Sequence, residues 1–347
     1  MKLMLRGPLT DFTGYGTFGI LLAREWSKQT DLALFPTQVT MGLPKEVLEI
    51  LAQEEPPKPD LFVDFTDPMS ANGKFGKKFS VLFTMWEQTK MVVDFDPRKL
   101  QSYDLMLVPN QVNKDTFAEF FPVEKIKIVS LGVDTSFYTW KPRKVRELPK
   151  IRFCAVGNLS RRKGIELIVD AYQKIRSEYE NCSLSIRSTG AGLHPRWADI
   201  IQDCYMYFGP WSKQTLRDFY YNMDVMLSLT RGEGFNLPAV EFLATGGTVI
   251  ATNFMGHAQW ANSEYMYQVG HTVEKVKIGY QGLDNRSEWG EPNYEEILTA
   301  MRSCMDDRET LFQKMLNAKT VAQMFNIEKI TSKILEVVLD EYSKYGV

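Results

Sequence analysis

The first half of the chain alternates short apolar runs with stretches of helical period. The apolar runs read KLMLRG, DLALFP, DLFVDFT, KKFSVLFTMW, YDLMLVPN and KIKIVSLGVD, and helices are predicted near 17–30 and 45–53. Alternation of this kind is typical of a parallel sheet that is covered by helices on both faces. The first half is therefore predicted to be a doubly wound α/β domain.

The same rhythm restarts at Ile151 with the strands IRFCAVG, CSLSIRSTG, YMYFGP, MDVMLSLT and TVIAT, and with helices in GIELIVDAYQKIRSEY and QTLRDFYYNM. Between the halves lies KPRKVRELPK (141–150), whose charge and proline content predict a linker. The last apolar stretch, IEKITSKILEVVLDEY, has helical period. We predict domains at 1–145 and 146–325, followed by a C-terminal helix at 326–347.

Composition agrees with two soluble domains. The chain has 347 residues, of which 44% are hydrophobic, and a net charge of −2 that gives no global field for nucleic acid or membrane. The four cysteines lie far apart without a C-x-x-C pair, which favours a reducing compartment. No apolar run approaches the ~20 residues of a membrane span, and the start does not read as a signal peptide. We expect a cytoplasmic protein, and peripheral membrane contact stays open.

Candidate chemistry is densest in RGEGFNLPAVEFLATGGTVIAT (231–252), which places seven residues between Glu233 and Glu241. Gly234 follows a predicted buried strand and lets the backbone approach a ligand. Pro238 suits the first turn of a helix, which places Glu241 one turn in, beside a terminus that favours anions. Because vicinal hydroxyls donate to carboxylates, the pair predicts a site for a sugar nucleotide.

A second glycine-bounded turn, GNLSRRKG (157–164), follows the strand IRFCAV and opens a helix. Backbone N–H groups at such a turn and the charge of Lys163 suit a phosphate.

Together these motifs resemble the E-x7-E segment and the diphosphate-binding turn of retaining glycosyltransferases of the GT-B fold, family-four group. The resemblance implies two Rossmann-like domains facing across a cleft, with the C-terminal helix crossing back to the first. It also implies transfer of a hexosyl or pentosyl group from a nucleotide diphosphate donor to an acceptor hydroxyl, with retention of configuration. The nucleotide sugar is then the donor substrate, and neither a metal nor a further cofactor is expected.

The resemblance also assigns roles in the donor site. Lys163 matches the family lysine, whereas Asn158 stands where an arginine is usual, so that Arg161 or Arg162 would substitute. Glu233 would bind the transferred sugar and Glu241 the ribose diol. Other predicted donor contacts are backbone or side-chain groups of Gly14, Gly16, Thr189, Gly190, Trp211, Gly234, Phe235, Asn236 and Leu237. Asn236 replaces a glycine that most members have.

One family residue has no match in this sequence. Members commonly place a histidine at the end of a first-domain strand, but the histidines here, His194, His257 and His271, all lie in the second half. The corresponding strand ends in MWEQT, so Trp86 or Glu87 would occupy that region, and we predict Glu87 as a catalytic acid beside Glu233 and Lys163. Asp64 and Asp67, at the end of FVDFTDP, are its competitors. His257 is either a donor contact or a structural residue.

The acceptor is not determined by the sequence, and a glycan, a lipid-linked glycan or a modified nucleic acid are all open. GKFGKKFS interleaves aromatic residues with Lys74, Lys77 and Lys78, which would suit an anionic polymer such as DNA with hydroxylated bases. The D-x-D at 94–96 is predicted to be a turn rather than a metal site. A non-catalytic sugar-nucleotide-binding protein is a third hypothesis, because the histidine is missing and Asn158 is unusual.

Overall fold

The structure, a computed structural model, describes residues 1–52, 58–92, 95–145, 147, 149–188, 190, 204–276 and 287–345. The chain divides into two compact units. The first comprises Met1–Gly132, Val276–Ser287 and Phe325–Val347, and the second comprises Val133–Lys275 and Glu288–Met324.

The described part of the first unit contains a six-stranded parallel sheet, in the order β2-β1-β3-β4-β5-β6. Its strands are β1 (Lys2–Leu9), β2 (Asp31–Val39), β3 (Leu61–Phe65), β4 (Phe79–Phe83), β5 (Leu105–Val108) and β6 (Ile126–Ile128). The helices between them are α1 (Gly14–Trp26), α2 (Lys45–Leu51), α3 (Arg98–Gln101) and α4 (Gln111–Phe117). The central strands β3, β4 and β5 are buried along their whole length, as in a sheet covered on both faces. The predicted parallel sheet is confirmed.

The first helix starts earlier than the pattern of apolar residues indicates. Thr13 caps α1, since its Oγ1 accepts from the N–H of Gly16 at 2.9 Å. A Cβ at Gly16 would lie 2.2 Å from Oγ1 of Thr10, so a glycine is needed where the helix crosses the end of β1.

The second unit contains another six-stranded parallel sheet, in the order β12-β11-β10-β7-β8-β9. Its strands are β7 (Ile151–Val156), β8 (Cys182–Arg187), β9 (Cys204–Tyr207), β10 (Val225–Ser228), β11 (Thr248–Thr252) and β12 (Met266–Val269). The helices in its described ranges are α5 (Ile165–Glu178), α6 (Lys213–Tyr221), α7 (Leu237–Ala244), α8 (Tyr294–Asp306), α9 (Arg308–Asn317) and α10 (Lys319–Met324). An antiparallel pair, β13 (His271–Lys275) and β14 (Glu288–Pro292), was not predicted, and neither was β12.

The segment 133–145, which the sequence places before the predicted boundary at 145/146, belongs to the second unit. Val145 is fully buried in the core of that unit. Arg143 is 7% exposed, and its Nη2 donates to the carbonyl of Tyr220 at 2.9 Å. Trp140 Nε1 donates to the carbonyl of Met315 at 3.2 Å. The first residues of the predicted linker 141–150 are therefore packed against the second unit and do not form a free linker.

The predicted C-terminal helix is present as α11 (Ile327–Ser343), and it belongs to the first unit. Trp26 of α1, which is fully buried, donates from Nε1 to the carbonyl of Thr331 at 2.9 Å. Among the described residues, no helix combines the length and the apolar character needed to cross a bilayer.

Candidate active site

The strand order of the second sheet reverses between β7 and β10, which are neighbours although β8 and β9 lie between them in sequence. In open α/β sheets, ligands bind beyond the carboxyl ends of the strands at such a switch point. The turn 157–164 follows β7, and the loop 229–236 follows β10. The two turns that the sequence singles out are thus brought side by side.

Three charged side chains from these turns meet. Nζ of Lys163 lies 2.6 Å from Oε1 of Glu233, and Nη1 of Arg162 lies 3.1 Å from the same oxygen. Arg162 also donates to the carbonyl of Gly232 at 2.7 Å. Two cations and one carboxylate therefore form a single cluster at the switch point, and Arg162 is the arginine that turns inward.

Glu233 is 5% exposed. Burial alone would raise the pKa of this carboxyl, but the charges of Lys163 and Arg162 outweigh it and hold the pKa at about 2. Glu233 is therefore ionised throughout the physiological range and can accept hydrogen bonds from hydroxyl groups.

The close approach of the two turns depends on Gly164. Its φ is +66°, and a Cβ there would lie 2.0 Å from the carbonyl oxygen of Leu229. Backbone strain and overlap with a carbonyl each cost roughly 1–3 kcal/mol. We therefore expect Gly164→Ala to lower the thermal midpoint of the second unit by several degrees, and to weaken ligand binding at the switch point.

A matched control is Gly209→Ala, because Gly209 has φ +87° but no atom within 4 Å of a built Cβ. Differential scanning calorimetry of the wild type and the two variants separates the cost of backbone strain from the cost of overlap with the carbonyl of Leu229. Equal midpoints for the two variants would show that the turns do not need this contact.

Arg231 anchors the second turn, a role that its local sequence does not indicate. The side chain is 2% exposed, and it forms ion pairs with Glu166 at 2.6 Å and with Glu291 at 2.5 Å. Its guanidinium carbon lies 5.3 Å from the ring centre of Trp289, and its backbone N–H donates to the carbonyl of Arg162 at 2.7 Å. The only local signal was an arginine directly before a buried glycine-rich loop; its partners lie far away in sequence.

Glu241 lies in α7, as predicted, and is 5% exposed. Its Oε2 accepts from the hydroxyl of Tyr220 at 3.2 Å. Burial raises the pKa of Glu241 to about 7, against the opposing effects of Lys213, Tyr220 and Tyr138. Glu233 and Glu241 are thus equally buried but differ in charge state near neutral pH.

Asn236 begins α7 in the left-handed conformation, with φ +68°. Asparagine tolerates this region better than other non-glycine residues, which explains how it can adopt a conformation that glycine usually supplies. Its Nδ2 donates to Ser228 at 2.7 Å and to His257 at 2.8 Å. Phe235 and Leu237 bury their side chains and can offer a ligand only backbone groups.

The residues predicted to bind the base and the diphosphate do not all lie near the cluster around Glu233. Trp211 is partly exposed and packs edge to face against Tyr207 and Phe219, with each pair of ring centres 5.4 Å apart. Gly190 is exposed, whereas Thr189 lies outside the described residues, as does His194. Asn158 is also exposed, at the start of the lysine-bearing turn. The side chain of Arg161 stacks over Trp289 at 5.6 Å instead of joining the cluster around Glu233.

In the first unit, Glu87 follows β4 and is partly exposed, and its charge raises the pKa of Tyr15 alongside the larger effect of burial. The hydroxyl of Tyr15 donates to the carbonyl of Met85 at 2.8 Å, which ties the turn after β1 to the end of β4. Gly14 is the exposed first residue of α1. Trp86 uses its indole N–H internally, donating to the carbonyl of Lys90 at 2.8 Å.

The two competing acids have structural partners. Asp64 is fully buried and pairs with Arg6 at 2.8 Å, while it accepts from the hydroxyl of Tyr103. Burial raises the pKa of Asp64, which these partners oppose. Oδ1 of Asp67 accepts from the N–H groups of Met69 and Ser70, both at 3.0 Å, and so stabilises a turn. Asp64 is therefore withdrawn from solvent, whereas Asp67 is partly exposed, as Glu87 is.

The predicted basic surface is smaller than its sequence suggests. The ammonium of Lys74 bonds to Asp104 at 2.7 Å and to the hydroxyl of Tyr345 at 2.8 Å, whereas Lys77 and Lys78 are exposed. Within the ranges that the structure describes, no group of three or more His, Cys, Asp and Glu residues is arranged around a possible metal ion. Asp94 of the D-x-D lies outside those ranges, and Asp96 forms an exposed ion pair with Arg98 at 2.8 Å.

Residues 150–275, which contain both turns, match the model of the family described as glycosyl transferases group 1. A protein of the Sulfolobus islandicus filamentous virus (isolate Iceland/Hveragerdi), provisionally designated glycosyltransferase 45, is 23% identical over 248 residues, or 68% of this chain and 67% of its own.

Solved structures agree in fold over nearly the whole chain. Anabaena HepE in complex with UDP and glucose superposes with a TM-score of 0.67 at 14% identity, covering 97% of this chain and 99% of HepE. Sucrose-phosphate synthase of Thermosynechococcus elongatus superposes with a TM-score of 0.70 at 14% identity, covering 99% and 100%. Residues 150–275 are therefore similar to glycosyl transferases group 1, and the two six-stranded parallel sheets match the fold of HepE and of sucrose-phosphate synthase.

Proposed function

We propose that this protein transfers a sugar from a nucleoside diphosphate donor to an acceptor hydroxyl, with retention of configuration. The observation that carries the proposal is the 2.6 Å contact between Lys163 and Glu233, which joins the two turns at the switch point of the second sheet. HepE, which has a similar fold, has been solved with UDP and glucose and with UDP-glucose, and this favours a uridine diphosphate sugar as the first donor to test.

The charges of the cluster suit the leaving group. As the bond between sugar and diphosphate breaks, negative charge accumulates on the departing phosphate oxygen. Lys163 and Arg162 carry two positive charges beside the single negative charge of Glu233, so these three side chains together have a net charge of +1. Cations fixed in a buried site stabilise such charge without reorganising. Glu233, ionised and buried, would accept hydroxyl groups of the sugar, and Glu241 those of the ribose.

The resemblance implies that the first unit binds the acceptor. Within that unit, Glu87 is our candidate catalytic acid. Its partial exposure and its place after the end of β4 support this role, whereas Asp64 is buried in an ion pair with Arg6. Glu87 would orient the attacking hydroxyl or shield positive charge on the sugar. No described contact favours DNA over a glycan or a lipid-linked glycan as the acceptor. We propose that the reaction needs no metal ion.

A thermal-shift screen against nucleotide sugars, starting with UDP-glucose, tests donor binding. A donor at ~100 times its dissociation constant should add about 2.7 kcal/mol of stability. Bound donors are then assayed for hydrolysis and transfer by NMR, which also reports the anomeric configuration of the product. Donor binding without hydrolysis or transfer to any glycan acceptor would favour the non-catalytic alternative, and no binding of any donor would refute the proposal.

A further inference from the structure

The side chain of Asn236 has an unusual use. A residue that precedes a helix commonly caps it with its side chain, but Asn236 makes no such bond to α7. Instead Nδ2 donates to Oγ of Ser228, at the end of β10, and to Nε2 of His257, beyond the end of β11. Asn236 therefore joins three segments that meet at the switch point.

These contacts determine the state of His257, whose side chain is 1% exposed. Nδ1 lies 2.8 Å from the carbonyl oxygen of Thr252, which can only accept, so Nδ1 carries the hydrogen. Nε2 then accepts from Asn236, which requires a neutral imidazole. Burial lowers the pKa of His257 to about 4, although the charge of Glu233 opposes the shift.

The 3-10 helix Met255–Gln259, which contains His257, holds the backbone around Glu233. The N–H of Gly256 donates to the carbonyl of Glu233 at 3.0 Å. Nε1 of Trp260 donates to the carbonyl of Phe235 at 2.8 Å. A Cβ at Gly256 would lie 2.6 Å from Gly234, so the two backbones are in direct contact. Any shift of this helix would move the loop that carries Glu233.

We propose that Asn236 is a positioning residue of the donor site. By donating to Nε2 of His257, whose Nδ1–H is held by the carbonyl of Thr252, it keeps the imidazole neutral and locks the helix 255–259 against the loop of Glu233. The consequence for donor affinity rests on the proposed function, whereas the tautomer and the lock are properties of the free protein. Asparagine at a left-handed position thus gains a polar bond that glycine would not supply.

The variant Asn236→Gly tests this, because glycine accepts φ +68° and only the side-chain bonds are lost. Asn222→Gly, at an exposed asparagine, is the matched control. The chain has three histidines, so the imidazole of His257 can be assigned in long-range 1H–15N spectra with His257→Phe. We expect the Nδ1–H hydrogen in all three proteins, because each keeps the carbonyl of Thr252. Asn236→Gly removes the hydrogen bond to the neutral Nε2, so only in that variant should the pKa of His257 rise above about 4 and the amide of Gly256 exchange faster.

Asn236→Asp gives a second spectroscopic test, because two acceptors face each other unless Nε2 is protonated, and the pKa of His257 should rise well above about 4. With a donor in hand, Asn236→Gly should raise the donor KM about tenfold with a smaller change in kcat. An imidazole pKa and an amide exchange rate that are both unchanged in Asn236→Gly would overturn the inference, and so would an unchanged donor KM. If the wild type binds no donor, the proposed function fails, and the imidazole pKa and the exchange data still decide whether Asn236 forms the lock.

Discussion

Replacing Lys163 by methionine is expected to lower sugar transfer about 10²- to 10³-fold, the usual loss when one fixed electrostatic contact to a developing charge is removed. Methionine keeps much of the length and apolar stem of lysine but removes the charge that lies 2.6 Å from Glu233. The loss should fall on kcat as well as on donor affinity, because the charge on the departing diphosphate is largest in the transition state. Steady-state kinetics with a saturating acceptor measure both.

Two further variants separate chemistry from folding. Removing one partner of a buried ion pair destabilises a protein by roughly 3–5 kcal/mol, but in the single variant Glu233 keeps its contact with Arg162 at 3.1 Å, so a smaller loss of stability is expected. The double variant Lys163→Met/Glu233→Gln removes one charge of each sign, so the net charge of Lys163, Arg162 and Glu233 stays as in the wild type, and transfer should stay lost. Lys174→Met, at an exposed lysine of α5, is the matched control. Full turnover by the double variant would remove Lys163 and Glu233 from the mechanism.

Glu241→Gln is expected to make the protein more stable and the donor site weaker. The pKa of Glu241 is raised by burial from 4.5 to about 7, which corresponds to roughly 3 kcal/mol. Because the folded pKa is raised, the wild type has its full stability below pH ~4.5 and loses this amount as the pH rises through about 7. Glutamine carries no charge, so the variant should gain roughly 3 kcal/mol above pH ~7 and nothing below pH ~4.5.

Donor affinity should show the opposite trend. The carboxylate can accept from both ribose hydroxyls, so wild-type affinity is expected to fall as the pH drops below about 7. Glu241→Gln should bind the donor at least tenfold more weakly at pH 8, with little dependence on pH. Chemical denaturation and calorimetric titration across pH 5–9 test both trends, with the exposed Glu264→Gln as control. If the stability of Glu241→Gln follows that of the wild type at every pH, the carboxyl does not ionise as described.

The two sheets were predictable because their strands are strongly apolar. β3, β4 and β10 are buried at every position, and such runs bounded by polar turns are clear in a sequence. β12 was missed because it has four residues, two of which are only partly buried or exposed. The segment 133–145 was misjudged because its charged residues find partners in distant parts of the second unit, as Arg143 does at the carbonyl of Tyr220.

The site was predictable as two turns but not as a network. The side chains of two adjacent arginines in the lysine-bearing turn make different contacts. Arg162 donates to the carbonyl of Gly232, 70 residues away, while Arg161 stacks on Trp289. No local pattern distinguishes them. Likewise, Asp64 is a plausible acid from its place at a strand end. It pairs with Arg6 because β1 and β3 are neighbours in register, a fact of topology and not of local sequence.

The most direct test of the central claim is a crystal structure of the protein with UDP, or with the nucleoside diphosphate that gives the largest thermal shift. We expect a diphosphate within hydrogen-bonding distance of Nζ of Lys163 at the switch point between β7 and β10, and a ribose hydrogen-bonded to Glu241. A nucleotide bound elsewhere, with the pair of Lys163 and Glu233 undisturbed and facing no ligand, would contradict it.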